Sequence, residues 1–173
     1  PQKVLGIAKT SSMLLVRDQR ALRETFHTGL PYMEAALDGA HGGELGLQGS
    51  RPAEILKLWL GLRQLGDEGI ASLLEQAVAR RQRLEACLDP SRLEISSGPL
   101  HLLSCAPVGA DAERCEHWTA AMRQRLLDEQ IMVSRPRLQG RHRIKVVLGN
   151  PHTPDALIDR LGSLLNDDDM EVP

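Results

Sequence analysis

Aromatic residues are nearly missing from this sequence, which has two tryptophans, one tyrosine and one phenylalanine among 173 residues. Proteins that grip single-stranded nucleic acid stack bases on such rings, so that class has few platforms here. An excess of either charge is also missing. Lys and Arg number 21 against 23 Asp and Glu, leaving a net charge of −2. That makes no electrostatic case for nucleic acid or an anionic membrane as partner. No run approaches a membrane span, and no signal peptide is recognisable. Cys87, Cys105 and Cys115 are odd in number and lack C-x-x-C spacing. A disulfide framework is not expected, and a reducing, cytoplasmic setting is. The six histidines, His27, His41, His101, His117, His142 and His152, form no cluster at zinc-ligand spacing, so no metal is expected. The chain also opens without methionine, as a processed piece or an excised part of something longer would.

What remains is ordinary for a globular protein, 42% apolar and 25% charged, enough for one domain with a real core or for part of a larger one. Lysine is scarce against arginine, with only Lys3, Lys9, Lys57 and Lys145 present. A lysine held in a dry place can lose its proton and attack a carbonyl carbon, forming a Schiff base. Lys3, ahead of the small-residue run Gly6–Ser12, is either such a lysine or a solvated one near a chain end.

Hydrophobic spacing places the elements. Ser11–Val16 reads as a buried strand closed by Arg17-Asp18. Asp18 is a plausible cap for a helix with Leu22 and Phe26 on one face, stopped by Thr28-Gly29-Leu30-Pro31. Asp38–Gly49 holds Gly39, Gly42, Gly43, Gly46 and Gly49. This density predicts either a mobile loop that closes over a site or a plain surface linker. Ser50, Pro52 and Glu54 suit the start of a helix over 53–65. That start offers backbone N–H groups to an anion or is ordinary capping. The helix is apolar on most sides and is expected to be buried or pressed between two surfaces. Gly66 ends it. A second helix runs from Asp67 to about Cys87, with Arg80, Arg81 and Arg83 on its solvated last turns. After Asp89-Pro90 come strands over 93–96 and 100–106, a helix from 111 or 112 to 130, and strands over 131–138 and 143–148. Gln139-Gly140 is the hairpin turn between the last two. A final helix covers 155–165, and Asp167-Asp168-Asp169 begins an acidic, solvated tail.

Three segments then carry a resemblance. The first is Pro1-Gln2-Lys3-Val4-Leu5-Gly6 with Ser11-Ser12-Met13-Leu14-Leu15-Val16-Arg17-Asp18. The second is Gly49-Ser50-Arg51 leading into Leu56-Lys57-Leu58-Trp59-Leu60 and Leu65-Gly66. The third is Lys145-Val146-Val147-Leu148-Gly149-Asn150-Pro151. In this order and spacing the chain resembles the C-terminal part of the group II pyridoxal-phosphate-dependent amino-acid decarboxylases, which include glutamate, aromatic-amino-acid, cysteine-sulfinate and diaminobutyrate decarboxylases.

The resemblance implies an α/β fold: the C-terminal portion of a fold-type I transferase. Residues 1–88 would end the cofactor-binding large domain, 89–166 would form a small α+β domain, and 167–173 the acidic tail. It implies pyridoxal 5'-phosphate as cofactor, an amino acid as substrate and a homodimer as assembly. Lys3 would carry the cofactor as a Schiff base with Gln2 beside it, and Gly49 and Ser50 would lie near a cofactor phosphate, usually the partner subunit's. The loop over 38–46 corresponds to the family's catalytic loop.

Departures from the family pattern are specific. Gln2 stands where the family usually has histidine. The loop lacks the family's tyrosine, which leaves His41 either as its proton donor or as a surface residue. Lys145 stands where several members place an arginine that holds the substrate carboxylate. It keeps the charge without the bidentate fork, or is a strand residue with a solvated tip. The residue for the pyridine nitrogen, the one that stacks on the ring and most phosphate ligands lie upstream in the family. Decarboxylation by the full-length protein is therefore the expected activity, that of a carboxy-lyase. The alternatives are a non-catalytic dimerisation or regulatory piece, or another reaction of the same cofactor, such as transamination, aldol cleavage or decarboxylation coupled to deamination.

Overall fold

The computed structural model describes residues 2–7, 13–27, 42–50 and 52–167. Its centre is a three-stranded antiparallel sheet in the order β1-β2-β5, from Leu93–Ser97 (β1), Leu102–Pro107 (β2) and Ile144–Val147 (β5). β1 meets β2 with Ile95 opposite Cys105. β2 meets β5 with Leu103 opposite Val146. Side chains alternate across a strand, so Leu103 and Cys105 on β2 and Ile144 and Val146 on β5 share one buried face. Helix α4 (Ala112–Asp128) brings Trp118, Met122 and Leu126 to the same cluster. Helix α5 (Asp155–Leu165) brings Ile158, Leu161, Leu164 and Leu165. The result is a main apolar core with helices packed on a sheet, beside a small second cluster of Ala106, Ala110 and Cys115.

Local chemistry explains the boundaries. Asp111 caps α4, its carboxylate accepting from the Arg114 N–H at 2.8 Å. Gln139 and Gly140 both have positive φ, 50° and 81°, which a tight hairpin turn requires. They join β3 (Arg137–Leu138) to β4 (Arg141–His142). Ser134 and Lys145 extend that pairing by one bridge, so the strand expected over 131–138 is a ladder at its end and a single bridge before it.

The long helix α3 (Ile55–Cys87) is interrupted at Gly66, where φ is 63° and ψ 179°. The two helices expected on either side of Gly66 thus follow without a gap in the chain. Its C-terminal half joins the core through Leu84, and Leu88 follows just beyond it. The core therefore straddles the boundary expected at residue 88.

Four expectations need correction. The N-terminal half of α3 is not buried: Leu58 is, but Ile55, Leu56, Trp59 and Leu60 are exposed. α1 (Gln2–Leu5) and the following Ile7 pack there, Ile7 against Gly61, so one side is covered while Ile55, Leu56, Trp59 and Leu60 stay exposed. Ser50 does not cap α3, because the helix begins at Ile55 with Glu54 in the capping position. Arg80 is not solvated: it is buried, its Nε donating to the Leu148 carbonyl at 3.0 Å. Asp167 is not a free tail residue, since its carboxylate pairs with Arg125.

Of the strand expected over Ser11–Val16, the described residues 13–16 form no strand, and all four are exposed. An apolar run becomes a strand only where a neighbour pairs with it, and none does here among the described residues. Helix α2 (Arg20–Phe26) follows, with Leu22 and Phe26 half-buried. The stop at 28–31, the loop residues 38–41 and the tail from 168 lie outside the described residues.

Candidate functional site

A cavity of about 690 Å³ opens beside β5, a size usual for small-molecule sites. Ile131, Val133, Leu157 and Leu161 give it apolar walls. Lys3, Arg123, Arg135 and Lys145 border it, and among the described residues no Asp or Glu does. Lysines 142 positions apart in sequence therefore share one cavity.

Lys145 is fixed from both sides of its strand. It stands opposite Ser104 on β2. On the other side its N–H donates to the Ser134 carbonyl at 2.7 Å, and the Ser134 N–H donates back at 3.2 Å. Ile144 and Val146 face the core, so alternation turns Lys145 to the opposite face. Its side chain is half-buried, and no carboxylate pairs with its ammonium among the described residues.

Lys3 is on α1, a helix with no buried residue, and it is exposed. The dry setting expected for it does not hold among the described residues, because nothing described covers the outer side of α1. Its main chain is nevertheless held closely. A Cβ on Gly149 would come within 2.6 Å of the Lys3 carbonyl oxygen and 3.1 Å of the His101 ring. Gly149 directly follows Leu148, whose N–H donates to the His101 carbonyl at 3.0 Å and whose own carbonyl accepts from Arg80. Burial, and then the charge of Arg80, push the His101 imidazole below its ordinary value. Arg80, His101 and Gly149 thus form a brace under Lys3. One Arg80 terminal nitrogen, Nη2, is buried without a hydrogen-bond partner among the described residues.

The remaining expected site residues are elsewhere. Gln2, Gly49 and Ser50 are exposed and do not border the cavity. The turn before α3 folds tightly, since a Cβ on Gly43 would meet the Gly49 Cα at 3.3 Å. His41 lies outside the described residues. Arg123 and Arg135, which border the cavity, were not singled out in the sequence. Arg135 is committed locally: its guanidinium pairs with Glu116 and donates to the Thr119 hydroxyl at 2.8 Å. Neither arginine belongs to a motif, so no spacing marks them. Cysteine chemistry has no footing in the core, where burial pushes the Cys105 thiol up to about 12.

No protein-family model matches the chain. Solved structures do. Mouse CSAD superposes with a TM-score of 0.64 over 85% of this chain and 34% of its own, at 20% identity. Catharanthus roseus tryptophan decarboxylase, in complex with L-tryptophan, superposes with a TM-score of 0.59 over 70% of this chain and 27% of its own, also at 20% identity. Oryza sativa TDC with PLP and tryptamine gives 0.61 over 71% and 28%, at 17% identity. The chain has the fold of a portion of the pyridoxal-phosphate-dependent amino-acid decarboxylases. It spans about a third or less of the length of these three structures. The resemblance drawn from its three segments is borne out at the level of fold. Within the decarboxylase fold, the first and third of those segments meet at Lys3 and Gly149, and the cavity lies alongside.

Proposed function

We propose that the full-length protein decarboxylates an amino acid with pyridoxal 5'-phosphate, attached to Lys3 as a Schiff base. The observation that supports this reading is that Lys3 and Lys145 border the same cavity. The residues present fit the cofactor: a lysine amine for its aldehyde and, apart from Arg135 held by Glu116, cations that no carboxylate pairs with among the described residues, for an anionic molecule. Gly49 and Ser50, exposed before α3 and outside this cavity, are assigned to the phosphate of the cofactor on the partner subunit, and Gln2 flanks the attachment point.

When bound, the cofactor supplies a sink for the electrons of the breaking carbon–carboxylate bond. The chain's own residues do the rest. Lys3 carries the attachment and takes it back after turnover. Lys145 holds the substrate carboxylate by charge until it leaves as carbon dioxide. The apolar walls of Ile131, Val133, Leu157 and Leu161 limit water, which strengthens that charge interaction. His41 returns a proton to the α-carbon. The division at residue 88 and a homodimer belong to the same reading. The exposed Ile55, Leu56, Trp59 and Leu60 offer apolar surface that a second copy would cover.

That surface also favours the second reading, a non-catalytic dimerisation piece. Incubation of the full-length protein with pyridoxal phosphate, borohydride reduction and peptide mass mapping separates the two. The decarboxylase reading expects a pyridoxyl mass on Lys3 and carbon dioxide release from at least one amino acid. Carbon dioxide release that survives Lys3→Ala, or absence of both adduct and release from the start, rejects it. Identifying the amine product distinguishes decarboxylation from the cofactor's other reactions.

A further inference from the structure

Among the described residues two arginines are buried, Arg80 and Arg143. Arg143 meets the Glu94 carboxylate. Arg80 meets no carboxylate among the described residues, and its Nη2 has no hydrogen-bond partner there. Its neighbours on α3 differ: Arg81 pairs with Glu85, and Arg83 with Asp155 and Asp159. A buried charge without an opposite one is a costly way to fill space. What arginine supplies here that an apolar chain would not is one bond, from Nε to the Leu148 carbonyl at 3.0 Å.

That bond reaches Lys3 through the main chain. A peptide unit is planar, so fixing the Leu148 carbonyl fixes where the chain goes on to the Gly149 Cα. The preceding peptide is fixed as well, because the Leu148 N–H donates to the His101 carbonyl at 3.0 Å. Gly149 is thereby held where its missing side chain leaves room for the Lys3 carbonyl oxygen, 2.6 Å from where a Cβ would stand. Lys3 is exposed on α1, a helix of four residues none of which is buried, so its own side chain does not anchor it. A group that must react at one point in every turnover needs its position held. We infer, resting on the decarboxylase reading, that Arg80 is a positioning residue for Lys3. It sets the Leu148–Gly149 peptide on which the Lys3 main chain rests, and so sets where the Lys3 amine is presented.

Hydrogen exchange on the full-length protein without cofactor tests the seating. Arg80→Met should speed exchange at the Leu148 amide and over residues 2–5 by roughly 10- to 100-fold, the range of one hydrogen bond to a charged group. Arg80→Lys keeps a donor on a flexible stem and should recover part of the protection. Gly162→Ala is the control: it strains the contact with Cys87, away from Lys3, and should leave exchange over residues 2–5 as it is. The same variants are then assayed with pyridoxal phosphate and amino acids. Arg80→Met should lower kcat by about 10- to 100-fold, as small misplacements of a reacting group do. KM should change little, since Lys145 is held by Ser104 and Ser134. Circular dichroism verifies each fold, and should Arg80→Met not fold, Arg80→Lys reads the same two quantities. Exchange over residues 2–5 that ignores Arg80 overturns the inference, as does a kcat that falls no further than in Gly162→Ala. A wild-type protein that takes no pyridoxyl label on Lys3 and releases no carbon dioxide removes the decarboxylase reading instead. Exchange then decides the seating alone: dependence on Arg80 upholds it, and independence overturns it.

Discussion

Gly149 lies directly beneath the carbonyl oxygen of Lys3, so close that a Cβ there would stand 2.6 Å from it. Backbone oxygen cannot rotate away as a side chain can. Gly149→Ala must therefore lift the Lys3 segment or shift the end of β5. The expected cost is roughly 1–3 kcal/mol, as for other overpacking changes. Thermal denaturation should show a drop of about 2–4 °C for each kcal/mol, together with less pyridoxyl adduct on Lys3. An unchanged midpoint with full adduct would mean that Lys3 is not docked on Gly149 in solution.

Glu94 joins β1 to the β4–β5 connection. It accepts from Arg143 and, at 3.0 Å, from Arg141. Hydrogen bonds from Arg143 first, then Arg141, hold the carboxyl below its ordinary value of 4.5. A carboxyl lowered by folding adds stability that is fully present above 4.5 and is lost as pH falls through the folded value. Arg143 is buried, with 4% of its side chain exposed, whereas Glu94 is 43% exposed. Glu94→Gln therefore matters mainly through the arginine left behind, at roughly 1–3 kcal/mol. Denaturant unfolding at pH 7 and pH 3.5 should show a clear difference between wild type and variant at pH 7 and a smaller one at pH 3.5. A constant difference across that range would refute the linkage.

Sequence reasoning recovered what local chemistry determines. The last helix runs over the expected 155–165, α4 begins at its Asp111 cap, and the chain breaks at Gly66 and at the Gln139-Gly140 turn, where both glycines adopt the positive φ they tolerate without strain. It failed where the deciding partner is distant. Arg80 reads as one of three solvated arginines, yet its partner is a carbonyl 68 residues away. Ile55 to Leu60 read as buried because apolar content predicts burial only when a second surface exists, and α1 covers only part of that helix. The candidate site was legible in Lys3 and Lys145, whose motifs persist in the chain. Arg123 was not, because a single arginine on an amphipathic helix reads as solvated face until the cavity beside it is known.

His101 stands between Arg80 and Gly149, and its imidazole is held below its ordinary value of 6.5, first by burial and then by Arg80. A histidine whose value falls on folding favours the fold in its neutral form. That contribution is complete above 6.5 and is lost as pH falls through the folded value. Arg80→Met removes the nearby positive charge and keeps an unbranched chain of similar reach. The His101 value should then rise toward 6.5 in an NMR titration. The variant also gives up the Nε bond to the Leu148 carbonyl, which should destabilise the fold by about 1 kcal/mol or more. A His101 titration unmoved by the substitution would separate the two residues and undo the brace.

Gly162 sets how closely α5 approaches α3. A Cβ there would meet the Cβ of Cys87 at 2.7 Å. The obstacle is the first atom of a side chain on a helix, so no rotamer change relieves it, and the two helices must separate. Contacts on both sides resist that. Arg83 on α3 donates to Asp159 at 2.7 Å and to Asp155 at 3.0 Å on α5. Asn166 clasps the end of α3, donating to the Cys87 carbonyl at 2.7 Å and accepting from the Asp89 N–H at 2.9 Å. Helix propensity alone would make Gly162→Ala stabilising, by about 1 kcal/mol. Overpacking against a fixed Cβ opposes this with roughly 1–3 kcal/mol, so the net change should be destabilising. Urea unfolding should show a lower midpoint with an unchanged slope. A higher midpoint would mean that α3 and α5 are not in contact at Gly162, and the C-terminal core would need a different packing.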